Sequence, residues 1–272
     1  MRFNKSERKD VYEWKLGNRK RMTPQTIRAI SIPNIPDIKR GDIISRRIIA
    51  ALESSSITLE DGDIIVIASK IVSKAENRII HAKSVEVSTR AKEIASQNGF
   101  EPVHVELALR ESKEVIKTRG VLITETHSGL VCNFSGVDKS NVPVGQYILL
   151  PKDPDASAQT IRQMLEKELK KRVAVIITDT QGRPWRRGSL NIAIGCAGIA
   201  SFKHNRGKKD LFGRTLERSM VCQVDELASL AEPLMGQAGQ GIPVVIIKGY
   251  MFSDERDTAK NINRPRNEDL FR

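Results

Sequence analysis

The 272-residue chain holds 45 Lys and Arg against 33 Asp and Glu, a formal charge of +12, with 39% hydrophobic and only 4% aromatic residues. That balance describes a globular protein packed mainly with aliphatic side chains, long enough for one large core or two modest ones. Three scattered cysteines argue against a disulfide framework and four histidines lack ligand spacing. With no signal-peptide pattern and no run of roughly 20 apolar residues, a cytoplasmic, non-membrane protein is expected.

Residues 1–29 read as a basic, solvated arm, and within 1–26 Arg2, Lys5, Arg8, Lys9, Lys15, Arg19, Lys20 and Arg21 face only Glu7, Asp10 and Glu13. Pro33 and Pro36 make the next segment an extended loop. Helical spacing of Ile44, Ile48, Ile49 and Leu52 predicts a helix from Ile43 to Leu52. Ile64 to Ala68 is a β-branched run, a buried strand that delivers Ser69, Lys70, Ser73 and Lys74. Ser88 caps a helix that Asn98-Gly99 ends. Pro102 opens another, predicted to reach Lys117.

A strand over Val121 to Thr126 follows, and then the apolar stretch Val131 to Phe134, which leads to Asp138 and Asn141. After a strand at Tyr147 to Leu150 comes a long helix capped by Asp155 or Ser157, with Ile161, Met164, Leu165 and Leu169 as its apolar stripe. It feeds the strand Val173 to Ile177, so the strand–helix–strand order favours parallel pairing. Asp179 and Thr180 follow that strand. A turn with Arg183, Arg186 and Arg187 precedes a return strand from Ile192. Past a basic loop at 201–214, a helix spans Asp225 to Met235, a Gly-rich loop fills 235–241, and a last strand covers Ile242 to Lys248. Beyond Ser253 the chain is polar, a peripheral tail over 254–272 after a main domain at 30–253. The fold class is α/β, with mixed sheets and flanking helices.

Asp138, Asp179, Thr180 and Gln237 offer hard oxygen ligands of the kind magnesium and manganese take. Lys70, Lys74 and the three arginines offer compensating charge, which suits a nucleoside triphosphate carried with its metals. No Walker A or GxGxxG motif is present. Taken singly, each acid is equally a solvated turn residue. A basic nucleic-acid-binding protein is the alternative of another class, but its aromatics would be interleaved with cations, and here they are few and scattered.

Set in order, IPDIKRGD (35–42), GDIIVIASKIVSKAENR (62–78), LRES (109–112), VCNFSGVDKSNV (131–142), LLPKDPDASA (149–158), VAVIITDTQGRPWRRG (173–188), AIGCAGI (193–199), RGKKDLFGR (206–214) and DELASLAEPLMGQAGQGIPVVIIKG (225–249) resemble the coenzyme F420-0:L-glutamate ligase family. The resemblance implies two interlocked subdomains, a homodimer, and GTP-dependent addition of L-glutamate to coenzyme F420-0 through an acyl phosphate. It also implies two divalent cations, Mg2+ or Mn2+, and K+. A related ligase with another acceptor or amino acid is the nearest alternative. Matched to the family's motifs, Asp138 and Asp179 are first-metal ligands, and Thr180 and Gln237 second-metal ligands. Gln237 stands where family members can carry Glu. Nucleotide contacts are implied for Ile35, Pro36, Asp37, Ile38, Ser69, Lys70, Lys74, Asn141, Met235, Gly236, Gln237, Ala238, Gly239, Gln240, Gly241 and Ile242. Arg183, Arg186 and Arg187 are further expected to grip the acceptor's phosphodiester or carboxylates, with Arg186 counted beside Asp138 and Asp179 as catalytic.

Overall fold

The computed structural model describes residues 24–271, so the expectation of a basic arm falls largely outside the described residues. The first part of the chain forms β1 (Arg28–Ser31), α1 (Ile44–Ser54), β2 (Ile64–Ala68), α2 (Ser69–Ala75), β3 (Ile79–His81), α3 (Thr89–Asn98) and α4 (Pro102–Arg110). Short strands β4 (Ser112–Lys117), β5 (Ile123–Thr126), β6 (Val131–Asn133) and β7 (Gln146–Ile148) follow, and then α5 (Pro154–Leu169). The last part holds β8 (Ala174–Gln181), β9 (Leu190–Ala197), β10 (Phe202–His204), β11 (Met220–Cys222), α6 (Gln223–Met235) and β12 (Val244–Lys248).

Five strands form the central sheet in the order β1-β12-β2-β8-β9. Side chains alternate across a strand, and here both faces are apolar. Ile65, Ile67, Val175, Ile177 and Ile246 pack with Ile48 and Leu52 of α1 and Ile161 and Leu165 of α5. Ile64, Val66, Ala174, Ile176, Val245 and Ile247 pack with Val224, Leu227 and Ala231 of α6. Helices on both faces explain why β2, β8 and β12 read as unbroken aliphatic runs. Residues 79–148 carry two smaller sheets, β3-β7 and β4-β5-β6, with small clusters around Ala91, Val105 and Leu122 and around Leu107, Tyr147 and Leu149. The mixed α/β class with flanking helices is what the sequence led one to expect.

Four expectations change. The parallel pair is β2 with β8, while β7, the strand before α5, pairs antiparallel with β3 in another sheet. The helix from Pro102 stops at Arg110, because Ser112–Lys117 pairs with β5 as a hairpin, and cross-strand pairing outweighs a loose helical period. The cap of α5 is Asp153, which accepts from the Ala156 amide at 3.1 Å. Asp155 turns inward instead and accepts from the amides of Cys196 at 2.9 Å and Ala259 at 2.7 Å. Those bonds also correct the picture of a peripheral tail: Ala259 is buried, and Ser201 donates its amide to Asp257 at 2.8 Å. Gly195 is required where α5 meets the sheet, since a Cβ there would lie 2.4 Å from the Pro154 carbonyl carbon.

Candidate active site

The carboxyl ends of the parallel pair β2 and β8 open on one side of the sheet, where ligands collect in α/β folds. β2 runs straight into α2, so Ser69, Lys70 and Lys74 stand on the first turns of a helix and not in a loop. β8 runs past the core to Gln181, and a bulge at Ile194 of β9, between the partners of Ile177 and Thr178, shifts the register along its last residues. Asp179 and Thr180 thus belong to a strand that outlasts the core.

A cleft of about 400 Å³ lies there. Every residue expected to contact nucleotide lines it except Gln240. Gln240 braces the Gly-rich loop from behind, its Oε1 accepting from the Ala238 amide at 2.8 Å. Asp179 and Thr180 line the same cleft. Thr180 and Gln237, 57 positions apart, meet at about 3.0–3.2 Å. Lys74 pairs with Asp37 at 2.6 Å.

Asp138 does not line the cleft itself but stands beside it, paired with Lys70, after a strained turn. Phe134 and Ser135 adopt left-handed backbone at φ 48° and 52°, followed by Gly136 at φ 70°. Such conformations cost about 1–3 kcal/mol each in non-glycine residues and persist only when their surroundings hold them. Thr124 Oγ1 accepts from the Ser135 amide at 2.9 Å, and Ser135 Oγ donates to Ala108 O at 2.8 Å. A Cβ at Gly136 would lie 2.5 Å from Leu150 Cδ1. The turn sets Asp138 against Lys70, Nζ to Oδ2 at 2.7 Å.

The two acids are held differently. Burial alone would raise the Asp138 carboxyl, but hydrogen bonds from Lys70 and Ser140 overcome it and bring it down to about 2. Burial pushes the Asp179 carboxyl up, with the Asp138 charge adding to it against the Ser69 hydrogen bond and the Lys70 charge. Asp179 receives Ser69 Oγ at 2.8 Å and Gln181 Nε2 at 3.0 Å. Its negative charge is therefore short of compensation, because Lys70 is shared with Asp138. The oxygens of Asp179, Thr180, Gln237 and Asp138 fit a divalent cation in type, and a cation would relieve that shortage. Among the described residues no cluster of three or more acid, His or Cys ligands exists, so carboxylates alone do not make the donor set. Burial pushes all three thiols up to about 12, away from the thiolate form that a nucleophilic cysteine uses.

The arginines are not drawn into the cleft. Arg183 is folded onto its own turn, donating to Gly188 O at 3.1 Å and Arg187 O at 2.8 Å. Arg186 and Arg187 are exposed. Sequence reading missed Asn191, which accepts from Thr180 Oγ1 at 2.8 Å and lines the cleft. It also missed Ser140, which bridges Lys70 and Asp138 at 2.6 Å to each. Asn191 pairs with Thr180 across the sheet, a register hidden by the bulge. Ser140 was legible as the polar neighbour of Asp138.

An α/β enzyme with a polar, oxygen-lined cleft at the ends of parallel strands is the class that fold and site define. The model of the family described as F420-0:Gamma-glutamyl ligase matches residues 33–249, and the chain belongs to that family; it is a ligase forming carbon–nitrogen bonds. The chain is 43% identical over 249 residues to a protein named coenzyme F420:L-glutamate ligase from Methanothermobacter thermautotrophicus, across 90% of this chain and 99% of that one. Proteins of the same name from Methanocaldococcus jannaschii and Archaeoglobus fulgidus are 47% identical over 215 residues and 41% identical over 246. Those alignments cover 79% and 90% of this chain, and 86% and 96% of the relatives.

Proposed function

We propose that this ligase joins L-glutamate to coenzyme F420-0 at the expense of GTP. The γ-phosphoryl group passes to an oxygen of the acceptor's terminal carboxylate and GDP leaves. The glutamate nitrogen then attacks the acyl carbon, and the bond to phosphate breaks with its electron pair leaving on inorganic phosphate. The ammonium group gives up two protons, one of which ends on that phosphate and the other in solvent. A second glutamate is added through a γ link.

The observation that carries the reading is that Lys70, Asp179, Thr180 and Gln237 line one cleft, with Asp138 set against Lys70 at 2.7 Å, though they lie far apart in sequence. In this reading Asp138 and Asp179 hold one divalent cation, Mg2+ or Mn2+, and Thr180 and Gln237 a second, with K+ as a monovalent cofactor. Divalent ions supply charge neutralisation between phosphates and the approaching carboxylate. Lys70 and Lys74 bind phosphate oxygens as point charges, and the loop 235–242 approaches the nucleotide through its backbone. Ser140 and Asn191 orient Asp138 and Thr180. Arg186 reaches the acceptor. A family-type homodimer, with two interlocked parts in each subunit, belongs to the same reading.

The test incubates purified protein with Mn2+, GTP and L-glutamate, with and without F420-0, following GDP release and product mass. GDP release coupled to a glutamyl mass increment is expected; release without the increment would overturn the reading. Arg186→Ala should raise the KM for F420-0 more than that for GTP.

A further inference from the structure

The tip of the β8–β9 hairpin and the end of the C-terminal tail meet at Trp185 and Phe271, whose ring centroids lie 5.4 Å apart. We infer that this exposed aromatic pair is a stacking platform for the planar ring system of the acceptor. This rests on the ligase reading above and assigns the remote end of the acceptor's site.

The hairpin is built to hold Trp185 outward. Arg183 braces the loop by donating to Arg187 O at 2.8 Å and to Gly188 O at 3.1 Å, and the ring of Pro184 fixes its own backbone φ. Trp185 and Arg186 therefore stand at the tip. Both strands of the hairpin start from the cleft, since Thr180 and Asn191 line it. Trp185 lies six positions past Asp179 and six before Asn191, so it is within about 20 Å of each. Every residue from Gln181 to Leu190 is exposed or half-buried. An extended molecule can therefore lie along the hairpin, with one end at the tip and the other in the cleft.

The chemistry at the tip selects the kind of molecule. Trp185 is 77% exposed and Phe271 67%, so their contact uses little of either ring and leaves outer faces for a ligand. Exposed apolar groups gathered in one place mark a binding surface more often than single ones do. Arg186 and Arg187 are exposed on the same loop. Aromatic faces beside guanidinium groups suit a planar, conjugated ring that carries an anionic linker. The acceptor has that form: a conjugated ring system at one end, the reacting carboxylate at the other, and a phosphodiester between them. GTP also carries a planar base, but the segments read as nucleotide contacts line the cleft and not the tip.

Phe271 comes from the tail, beyond the stretch 33–249 that the family model matches. The tail is fixed at two points on its way. The Ala259 amide donates to Asp155 at 2.7 Å, and Arg266 pairs with Glu114 of β4 at 2.8 Å. Five residues after Arg266, Phe271 reaches Trp185. One ring of the platform is thus supplied by a segment outside the matched stretch.

The test measures calorimetric binding to the full-length protein of F420-0 and of ribityl phospholactate, which keeps the anionic end and lacks the ring. Trp185→Ala should raise the Kd for F420-0 by about tenfold, the scale of one stacked ring, and Phe271→Ala by about threefold. Trp185→Phe, which keeps an aromatic face, should stay within about threefold of wild type. The Kd for ribityl phospholactate and the KM for GTP should not move in any of the three. An unchanged Kd for F420-0 in Trp185→Ala would overturn the inference. So would an equal loss for the ring-free compound, a loss confined to GTP, or Trp185 emission that follows protein concentration and ignores F420-0, which would give the patch to a second copy of the chain. Failure of the ligase reading shows differently: the wild type itself would neither bind F420-0 nor form a glutamyl product. A wild type that ligates, beside a Trp185→Ala variant that binds F420-0 normally, would overturn the platform alone.

Discussion

The cleft at the ends of β2 and β8 and a second cavity, lined by Arg78, Glu111, Leu150 and Lys260 among others, are of similar volume, about 400 and about 390 Å³, yet they are built in opposite ways. The first is assembled from a few continuous motifs that leave the ends of buried strands, and its walls are set by the central sheet. The second is gathered from single residues of many turns and closed by the tail. A rigid sheet with both faces covered gives one site precise placement. The other depends on a handful of polar bonds that single substitutions can release. Perturbing the sheet should therefore cost global stability, and perturbing the polar anchors should loosen the tail locally.

The largest stability effect is expected at Lys248, whose ammonium is buried at the end of β12 against Asp63 at 2.7 Å. Lys248→Met strands the Asp63 carboxylate and should destabilise the fold by about 3–5 kcal/mol. Urea denaturation reads this directly. The double variant with Asp63→Leu should recover most of the loss, since replacing both partners of a buried pair is often near neutral.

Asp155→Ala removes the acceptor shared by Cys196 and Ala259 and should cost roughly 1–3 kcal/mol for the amides left unpaired. Beyond that, limited proteolysis should cut within residues 254–272 faster. A tail cut no faster than in the wild type would break the contrast between the two cavities.

Gln237→Glu sharpens the first cleft. An added carboxylate beside Thr180 should lower the Mn2+ concentration giving half-maximal turnover by roughly tenfold, because divalent affinity follows ligand charge. A rise in that concentration would remove Gln237 from the metal site.

The smallest effect is a pH dependence at His104. Its ring stacks on Phe134 at 4.1 Å between centroids and lies 2.8 Å from Val137 O. Burial lowers its pKa, against the hydrogen bond to Val137 and the Glu101 charge. The unfolded chain then binds the proton more readily, so stability falls as pH drops through the unfolded value of about 6.5. The loss should be about 1 kcal/mol or less between pH 7.5 and 5.5. It should flatten in His104→Gln.

The same contrast explains what the residues disclosed. β2, β8 and β12 were legible because strands covered on both faces must be continuously aliphatic. The Ser88 cap was legible because its chemistry is local: Ser88 Oγ accepts from the Ala91 amide at 3.2 Å. The nucleotide-type segments were legible as motifs, and all but Gln240 line one cleft. Strand β4 was not, because its partner β5, not its own pattern, makes it a strand. The tail was not, because it docks through backbone amides on Asp155, and backbone amides leave no mark in a sequence. Asn191 was hidden by a bulge that shifts the register by one residue. The second cavity was invisible for the same reason: Arg78, Glu111 and Lys260 become neighbours only through the topology.

The most direct test compares wild type with Asp179→Asn, a change that keeps shape and removes charge. Mn2+ binding in the presence of GTP is measured by calorimetry, and product mass after incubation with F420-0 and L-glutamate is measured in parallel. The wild type should bind Mn2+ and form the glutamyl product. The variant should keep its urea midpoint, lose Mn2+ binding, and lose turnover by roughly 10²–10³-fold or more. A variant that ligates at the wild-type rate would contradict the placement of the site at the end of β8.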